Sequence, residues 1–212
     1  MAPAPRALLI DIDGTLVDSR QVVEDAWRDA GQRFDVDTSA LLELCHGRRD
    51  EDLVAQFFPR GVRHEVLRRI ASFELANAAC VSPMPDAGLF LSRLADGAWA
   101  AVTSGSRALM TARLRSAGLP VPRVLVAAED TRQGKPDPEG FLTGAKRLGV
   151  PADRCAVIED SPAGVTAGLA AGAFVIGVAT THERPALAAA DAVVDTLLGA
   201  QEVLEQAGYR EE

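Results

Sequence analysis

The sequence predicts an α/β chain: a three-layer core in which helices cover both faces of a central, mostly parallel sheet, with a purely helical block inserted after the first strand. Three observations carry this. From residue 83 onward, short apolar runs alternate with helix-patterned stretches, the pattern of strands joined by crossover helices. The run Ala7-Leu8-Leu9-Ile10 reads as a further strand of the same sheet, although its partners lie far downstream. Between the two, residues 20 to 82 hold no convincing strand.

The first strand ends in the turn Asp11-Ile12-Asp13-Gly14-Thr15. Gln21 to Phe34 then places Val22, Val23, Ala26, Trp27, Ala30 and Phe34 at helical spacing. Thr38 or Ser39 caps a helix running to Leu44, Asp50 caps one through Phe58, and Pro59-Arg60-Gly61 breaks it. A longer helix follows, with Val62, Val66, Ile70 and Phe73 on one face. Ser82-Pro83-Met84-Pro85 is a proline-bounded linker. Beyond it the spacing predicts a helix over Asp86 to Ala95, a strand over Ala98 to Thr103, and a helix over Arg107 to Ala117 closed by Gly118. Val124 to Ala127 is the next strand, Pro138 to Leu148 a helix closed by Gly149, and Cys155 to Ile158 a strand. Pro162 to Ala171 is a helix, Phe174 to Val178 and Ala192 to Val194 are strands, and a last helix ends the chain. The architecture is Rossmann-like, with a core of residues 1–19 and 83–212 and a helical cap of residues 20–82.

Composition narrows the function. The chain has 212 residues, 48% hydrophobic and 25% charged, enough for one large domain or a core carrying a smaller insertion. A formal net charge of -8 argues against nucleic acid or an anionic membrane as partner. Cys45, Cys80 and Cys155 are scattered and odd in number, which fits reduced thiols rather than disulfides or a zinc site. The proline-rich start is unlike a secretory signal and no apolar run has membrane-spanning length. The expectation is a soluble cytoplasmic protein, monomeric because a cap must move.

Ligands of parallel α/β sheets gather at the carboxyl ends of the strands. Four such ends carry reactive residues here. Asp11 and Asp13 point to the same side of an extended segment and place two negative charges where only a cation relieves them. Thr103-Ser104-Gly105-Ser106 starts a helix, a cradle for phosphate oxygens. Lys135 follows the third strand, and Glu159-Asp160-Ser161 ends the fourth. Taken singly, each has a plain structural reading: a turn, a helix cap, a solvated lysine, an N-cap. Their convergence on one sheet edge is the functional signal. It suits phosphoryl transfer, with Asp11 as nucleophile, Asp13 exchanging protons with leaving group and water, and Gly14 shaping the turn. Lys135 would hold nucleophile and phosphate together, while Asp160 and Glu159 complete a magnesium site.

The segments DIDGTLVDS, AAVTSGSR, RQGKPDPEGF and VIEDSPAGVTAGLAAG resemble, in order and spacing, the four motifs of the haloacid dehalogenase superfamily, from about residue 7 to 180. Together with LCHGRRDED in the insertion, they are most similar to its sugar-phosphate and glycerol-3-phosphate phosphatases, the 2-deoxyglucose-6-phosphate phosphatase type included. The resemblance implies a mobile helical cap and a magnesium-dependent phosphatase acting on a small phosphorylated metabolite. It implies Asp11 as nucleophile and metal ligand, Asp13 as acid/base that also lends its backbone carbonyl to the metal, Thr103 and Lys135 as phosphate-holding groups, and Asp160 with Glu159 as metal ligands. Ser104 is the alternative hydroxyl to Thr103, with Gly105 beside it; the spacing to Gly118 favours Thr103.

Departures from the family pattern sort the subfamilies. Dehalogenases proper lack the second acid, and phosphonate hydrolases carry Ala at that place, so Asp13 speaks for phosphate esters. In beta-phosphoglucomutase a His stands twelve residues after the nucleophile, where this chain has Val23. A mutase is therefore the second reading; a phosphoglycolate phosphatase and a non-catalytic binding module stand behind it. Substrate choice falls to the cap. There Arg48 and Arg49, beside Gly47, either reach the substrate or form a surface ion-pair cluster with Asp50, Glu51 and Asp52. His46 either faces the substrate or, as a polar turn histidine more often does, is solvated; His64 and His182 read as surface residues.

Overall fold

The computed structural model describes residues 4–209. Strand β1 (Ala7–Ile10) is followed by a two-residue strand β2 (Val17–Asp18) and four helices: α1 (Arg20–Phe34), α2 (Ser39–Leu42), α3 (Asp50–Phe57) and α4 (Arg63–Ala76). A second two-residue strand, β3 (Ser82–Pro83), leads to α5 (Ala87–Ser92), β4 (Trp99–Val102), α6 (Arg107–Ser116) and β5 (Val124–Val126). Then come α7 (Glu139–Leu148), β6 (Cys155–Glu159), α8 (Pro162–Ala170), β7 (Phe174–Val178), β8 (Ala192–Val194) and α9 (Leu197–Gln206).

The main sheet has the order β5-β4-β1-β6-β7-β8, and every pairing in it is parallel. β1 lies in the middle because its four residues are apolar on both faces. Leu8 and Ile10 join one hydrophobic cluster and Ala7 and Leu9 the other, each cluster completed by helices on that side. The chain must leave β1, return to β4 on one side and later reach β6 on the other. The carboxyl ends of these three neighbouring strands therefore open into one crevice.

The insertion has its own core. Val23, Trp27, Leu41, Leu53, Val54, Phe58, Val66 and Ile70 are buried together, with the Trp27 and Phe58 rings 6.3 Å apart. Truncating Trp27 to Ala would cost about 3–5 kcal/mol, as for other fully buried large aromatics.

Three local expectations need correction. The proline-bounded linker is not irregular: Ser82 and Pro83 pair antiparallel with Asp18 and Val17, so the two chain crossings between core and cap run side by side. Asp50 does not cap α3; Arg49 occupies the N-cap position without a side-chain bond, and the three acids Asp50, Glu51 and Asp52 fill the first turn, where the helix dipole favours them. The helix after Met84 is shorter than the pattern at both ends: Asp86 is left-handed (φ 65°) ahead of it, and at Ser92 it closes in a tighter turn, with Arg93 N and Leu94 N donating to Phe90 O and Leu91 O. By contrast, Ser161 caps α8 by accepting from Gly164 N at 3.1 Å, with Pro162 at the first helical position. No described helix is long and apolar enough to cross a membrane.

Candidate active site

Asp11 stands one residue beyond β1, its amide bonded to Ile158 O at 3.0 Å and its side chain nearly closed off from solvent at 5% exposure. The chain then turns back sharply, with Leu16 N and Val17 N both donating to Ile12 O. Gly14 makes this possible. Its φ is +85°, and a Cβ there would run into the Asp160 carboxylate and the Thr181 methyl. The turn thus brings β1 and β6 residues closer than any other side chain would allow, and Thr15 Oγ1 donates to Asp160 Oδ1 at 2.9 Å.

Lys135 reaches the same place from the loop between β5 and α7. Its ammonium, 6% exposed, bonds Asp11 Oδ1 at 2.5 Å, Glu159 Oε1, and Val102 O at 3.3 Å, while passing 5.3 Å from the centre of the Phe141 ring. Glu159 Oε2 accepts from both the amide and hydroxyl of Ser161, at 2.8 and 2.9 Å. Asp160 accepts from Thr15 and Thr181, and a ring nitrogen of His182 lies 3.1 Å from its backbone carbonyl. Asp11, Glu159 and Asp160 offer carboxylate oxygens within 4.8 Å of one another.

Three buried carboxylates share one ammonium. Burial pushes the Asp11 pKa well above the usual range, and Glu159 and Asp160 add to this against the opposing pull of Lys135. Burial, then Glu159, lifts Asp160 to about 7 despite its two hydroxyl donors. Lys135 is shifted upward: burial disfavours its charge, but Asp11 and Glu159 outweigh that. An all-oxygen donor set with uncompensated negative charge fits a hard divalent cation.

Asp13 faces away from this cluster, toward the cap. Its Oδ1 accepts from Ser19 Oγ at 2.7 Å and its Oδ2 from Arg113 Nη1 at 2.9 Å. At the end of β4, Thr103 is buried and its hydroxyl accepts from Gly105 N at 3.1 Å. Ser104 instead turns its hydroxyl to the cap, donating to Gly47 O at 2.9 Å. Thr103, Ser104 and Gly105 line one cavity of about 50 Å³ with Asp11 and Asp13. The cap contributes Val23, His46, Arg48, Asp50 and Glu74 to its other wall.

The two arginines part company. Arg48 lines the cavity and donates to Gln56 Oε1 at 3.4 Å. Arg49 hooks onto the core: it donates to the carbonyls of Arg132, Ala128 and Thr131 at 3.1 to 3.2 Å and to the Thr131 hydroxyl. It lies against Gly134, where a Cβ would meet its side chain. Among the described residues neither arginine pairs with Asp50, Glu51 or Asp52, so the surface ion-pair reading is corrected: the three acids stay at the α3 dipole and the guanidinium groups go elsewhere. His64 is exposed as expected. His46 and His182 are not; they pack edge to face across the cap–core boundary, centroids 6.4 Å apart, and burial lowers both pKa values.

Sequence reasoning missed Arg113, Glu74, Ser19, Thr15 and Thr181. Thr15 stood inside the first motif and could have been read from it. Arg113 and Glu74 had no local signal, because each sits in an ordinary helical pattern and meets the other only in the tertiary structure.

Comparison with known proteins accords with this geometry. Hexitol phosphatase A of Escherichia coli K12 is 38% identical over 197 residues, covering 91% of this chain and 91% of the relative. Glycerol-1-phosphate phosphohydrolase 2 of Saccharomyces cerevisiae is 33% identical over 189 residues, covering 84% of this chain and 76% of the relative. A crystal structure of a hydrolase from Pseudomonas syringae superimposes with a TM-score of 0.87 over 95% of this chain and 98% of its own, at 23% identity, a likeness of fold. The haloacid dehalogenase-like hydrolase family model matches residues 5–172, and the chain belongs to that family.

Proposed function

We propose that the protein is a magnesium-dependent phosphatase that hydrolyses a small sugar or polyol phosphate through an aspartyl-phosphate on Asp11. The observation that carries this reading is the buried Lys135 bridge between Asp11 and Glu159, set beside Thr103 at adjoining strand ends. The division into a core of residues 1–19 and 83–212 and a cap of residues 20–82 is part of it, as are a cytoplasmic location and a monomeric state. The three free cysteines support the location.

Asp11, Glu159 and Asp160, with the Asp13 backbone carbonyl, would hold the magnesium ion. Bound there, the ion offsets the charge of the phosphoryl oxygens beside an anionic nucleophile. Thr103 and the amides of Ser104 and Gly105 receive the phosphate, and Lys135 keeps its negative charge tolerable next to Asp11. The Asp11 carboxylate attacks phosphorus, and the bond to the ester oxygen breaks. Asp13 gives that oxygen its proton, so a neutral alcohol leaves. Asp13 then takes a proton from water as the water oxygen attacks phosphorus, which releases inorganic phosphate and restores Asp11. Closure of the cap, with Arg48 at its cavity wall and Arg49 gripping the core, keeps bulk water out during the first displacement. Val23 offers no proton-transfer group in the cavity, which supports hydrolysis over the mutase reading.

The test is phosphate release from a panel of esters (polyol phosphates, hexose phosphates, phosphoglycolate), with magnesium and with chelator. Turnover of polyol or sugar phosphates that vanishes in chelator and in Asp11→Asn is expected. Undiminished turnover by Asp11→Asn would overturn the assignment.

A further inference from the structure

Among the described residues Arg113 is the largest charged side chain to be fully buried, 1% exposed, and it comes from the core helix α6 rather than from any strand end. Its guanidinium spans two bodies of the structure. Nη1 donates to Asp13 Oδ2 at 2.9 Å and Nη2 to Glu74 Oε1 at 3.1 Å, and Glu74 belongs to the cap helix α4. The other Asp13 oxygen is held by Ser19, the residue immediately before α1, where the chain enters the cap. Both oxygens of Asp13 are therefore held at the foot of the cap, one by Ser19 where the chain enters it and one by an arginine whose other terminal nitrogen grips the cap helix α4. Asp50, also on the cap, lines the same cavity wall.

From this we propose that Arg113 is a positioning residue that ties the aim of Asp13 to cap closure, with Glu74 as the cap group it senses. The proposal rests on the reading of Asp13 as acid/base. A guanidinium is a rigid fork, so the nitrogen that holds Glu74 dictates the direction in which its neighbour presents the Asp13 carboxylate. A buried arginine also needs its anions. With the cap shut it has two, Asp13 and Glu74; with the cap swung away it keeps only Asp13 and gains water. The carboxylate is then free to follow the guanidinium out of line, and proton transfer to a leaving alcohol stops until the cap returns.

The chemistry supplies a readout that fold damage does not mimic. An alkyl ester needs its leaving oxygen protonated, whereas 4-nitrophenolate leaves without help. Single-turnover rates of the first step would be measured for glycerol phosphate and for 4-nitrophenyl phosphate in the parent, Glu74→Gln, Arg113→Gln and Asp13→Asn. Glu74→Gln keeps the shape of the cap and the Arg113–Asp13 bond, so it guards against misfolding of the arginine variant. The expected result is a loss of about tenfold for Glu74→Gln and about a hundredfold for Arg113→Gln on glycerol phosphate. The 4-nitrophenyl phosphate burst should stay within about threefold of the parent, and KM for glycerol phosphate should stay nearly constant. Equal losses on both esters, or no loss on either, would overturn the proposal. If Asp13→Asn itself spares the alkyl ester, the acid/base reading falls and the proposal with it, an outcome distinguishable from the first two.

Discussion

Replacing Asp160 by Asn removes one of three carboxylates from a site where, among the described residues, Lys135 is the cation that balances them, and the consequence is a stability change with a definite pH dependence. The Asp160 carboxyl ionises near 3.8 when exposed and at about 7 in the fold, chiefly because it is buried and then because of Glu159. Between those values the native, metal-free protein binds more protons than the unfolded chain. Its stability is therefore complete below the lower value and falls as pH rises through the upper one, by about 4 kcal/mol over the window. Asparagine has the same shape and no charge to lose. For a chain of this size each kcal/mol moves Tm by about 2–4 °C, so metal-free Asp160→Asn should unfold roughly 8–16 °C above the parent near pH 8 and within about 2 °C of it near pH 4. Magnesium should narrow the gap near pH 8, from about 4 to about 1 kcal/mol. At a hundredfold excess over its Kd it adds about 2.7 kcal/mol to the parent and little to the variant. Differential scanning calorimetry in chelator and in magnesium, at both pH values, reads all four cases. A metal-free variant less stable than the parent near pH 8 would refute the premise that excess negative charge strains this site.

Other substitutions probe its remaining supports. Lys135→Met leaves Asp11 and Glu159 facing each other without a cation; a loss of about 3–5 kcal/mol in urea unfolding and of at least a hundredfold in kcat is expected. Gly14→Ala forces a Cβ against Asp160 in a backbone conformation that alanine resists, so magnesium affinity measured by calorimetric titration should drop by tenfold or more. Arg49→Ala cuts the hook between cap and core without touching the cavity, and steady-state kinetics should show KM rising severalfold with kcat changed less.

The chain's alternation of apolar runs and helical patterns was enough to read the sheet, because every strand of it except β8 is buried or nearly so, and buried parallel strands are spelled in near-continuous apolar residues, mostly Val, Ile, Leu and Ala. Asp11, Thr103, Lys135 and Glu159-Asp160 were legible as candidates for the same reason: each lies at or just past the end of such a run, or in the loop that follows it. What escaped was set by partners distant in sequence. Arg113 meets Asp13 across 100 residues and Glu74 across 39, and nothing within a helical turn of any of them announces the meeting. The pairing of β2 with β3 escaped because a two-residue strand containing proline has neither length nor alternation to reveal it. The Arg48 and Arg49 pair was ambiguous for a further reason: adjacent residues point in different directions, and only the placement of α3 sends one into the cavity and the other onto the loop at residues 128–132.

That short ribbon has an engineering consequence. Since Val17 and Asp18 lie hydrogen-bonded beside Pro83 and Ser82, the cap leaves and rejoins the core at neighbouring points, and a tight turn could close the gap in its place. The helical block is in this sense a cassette. Its excision is expected to leave β1, β4 and β6 in register, which circular dichroism and thermal unfolding of the shortened chain would check. A capless chain joined across Asp18 and Ser82 would retain Asp11, Lys135, Glu159 and Asp160 on an intact sheet, opened directly to solvent.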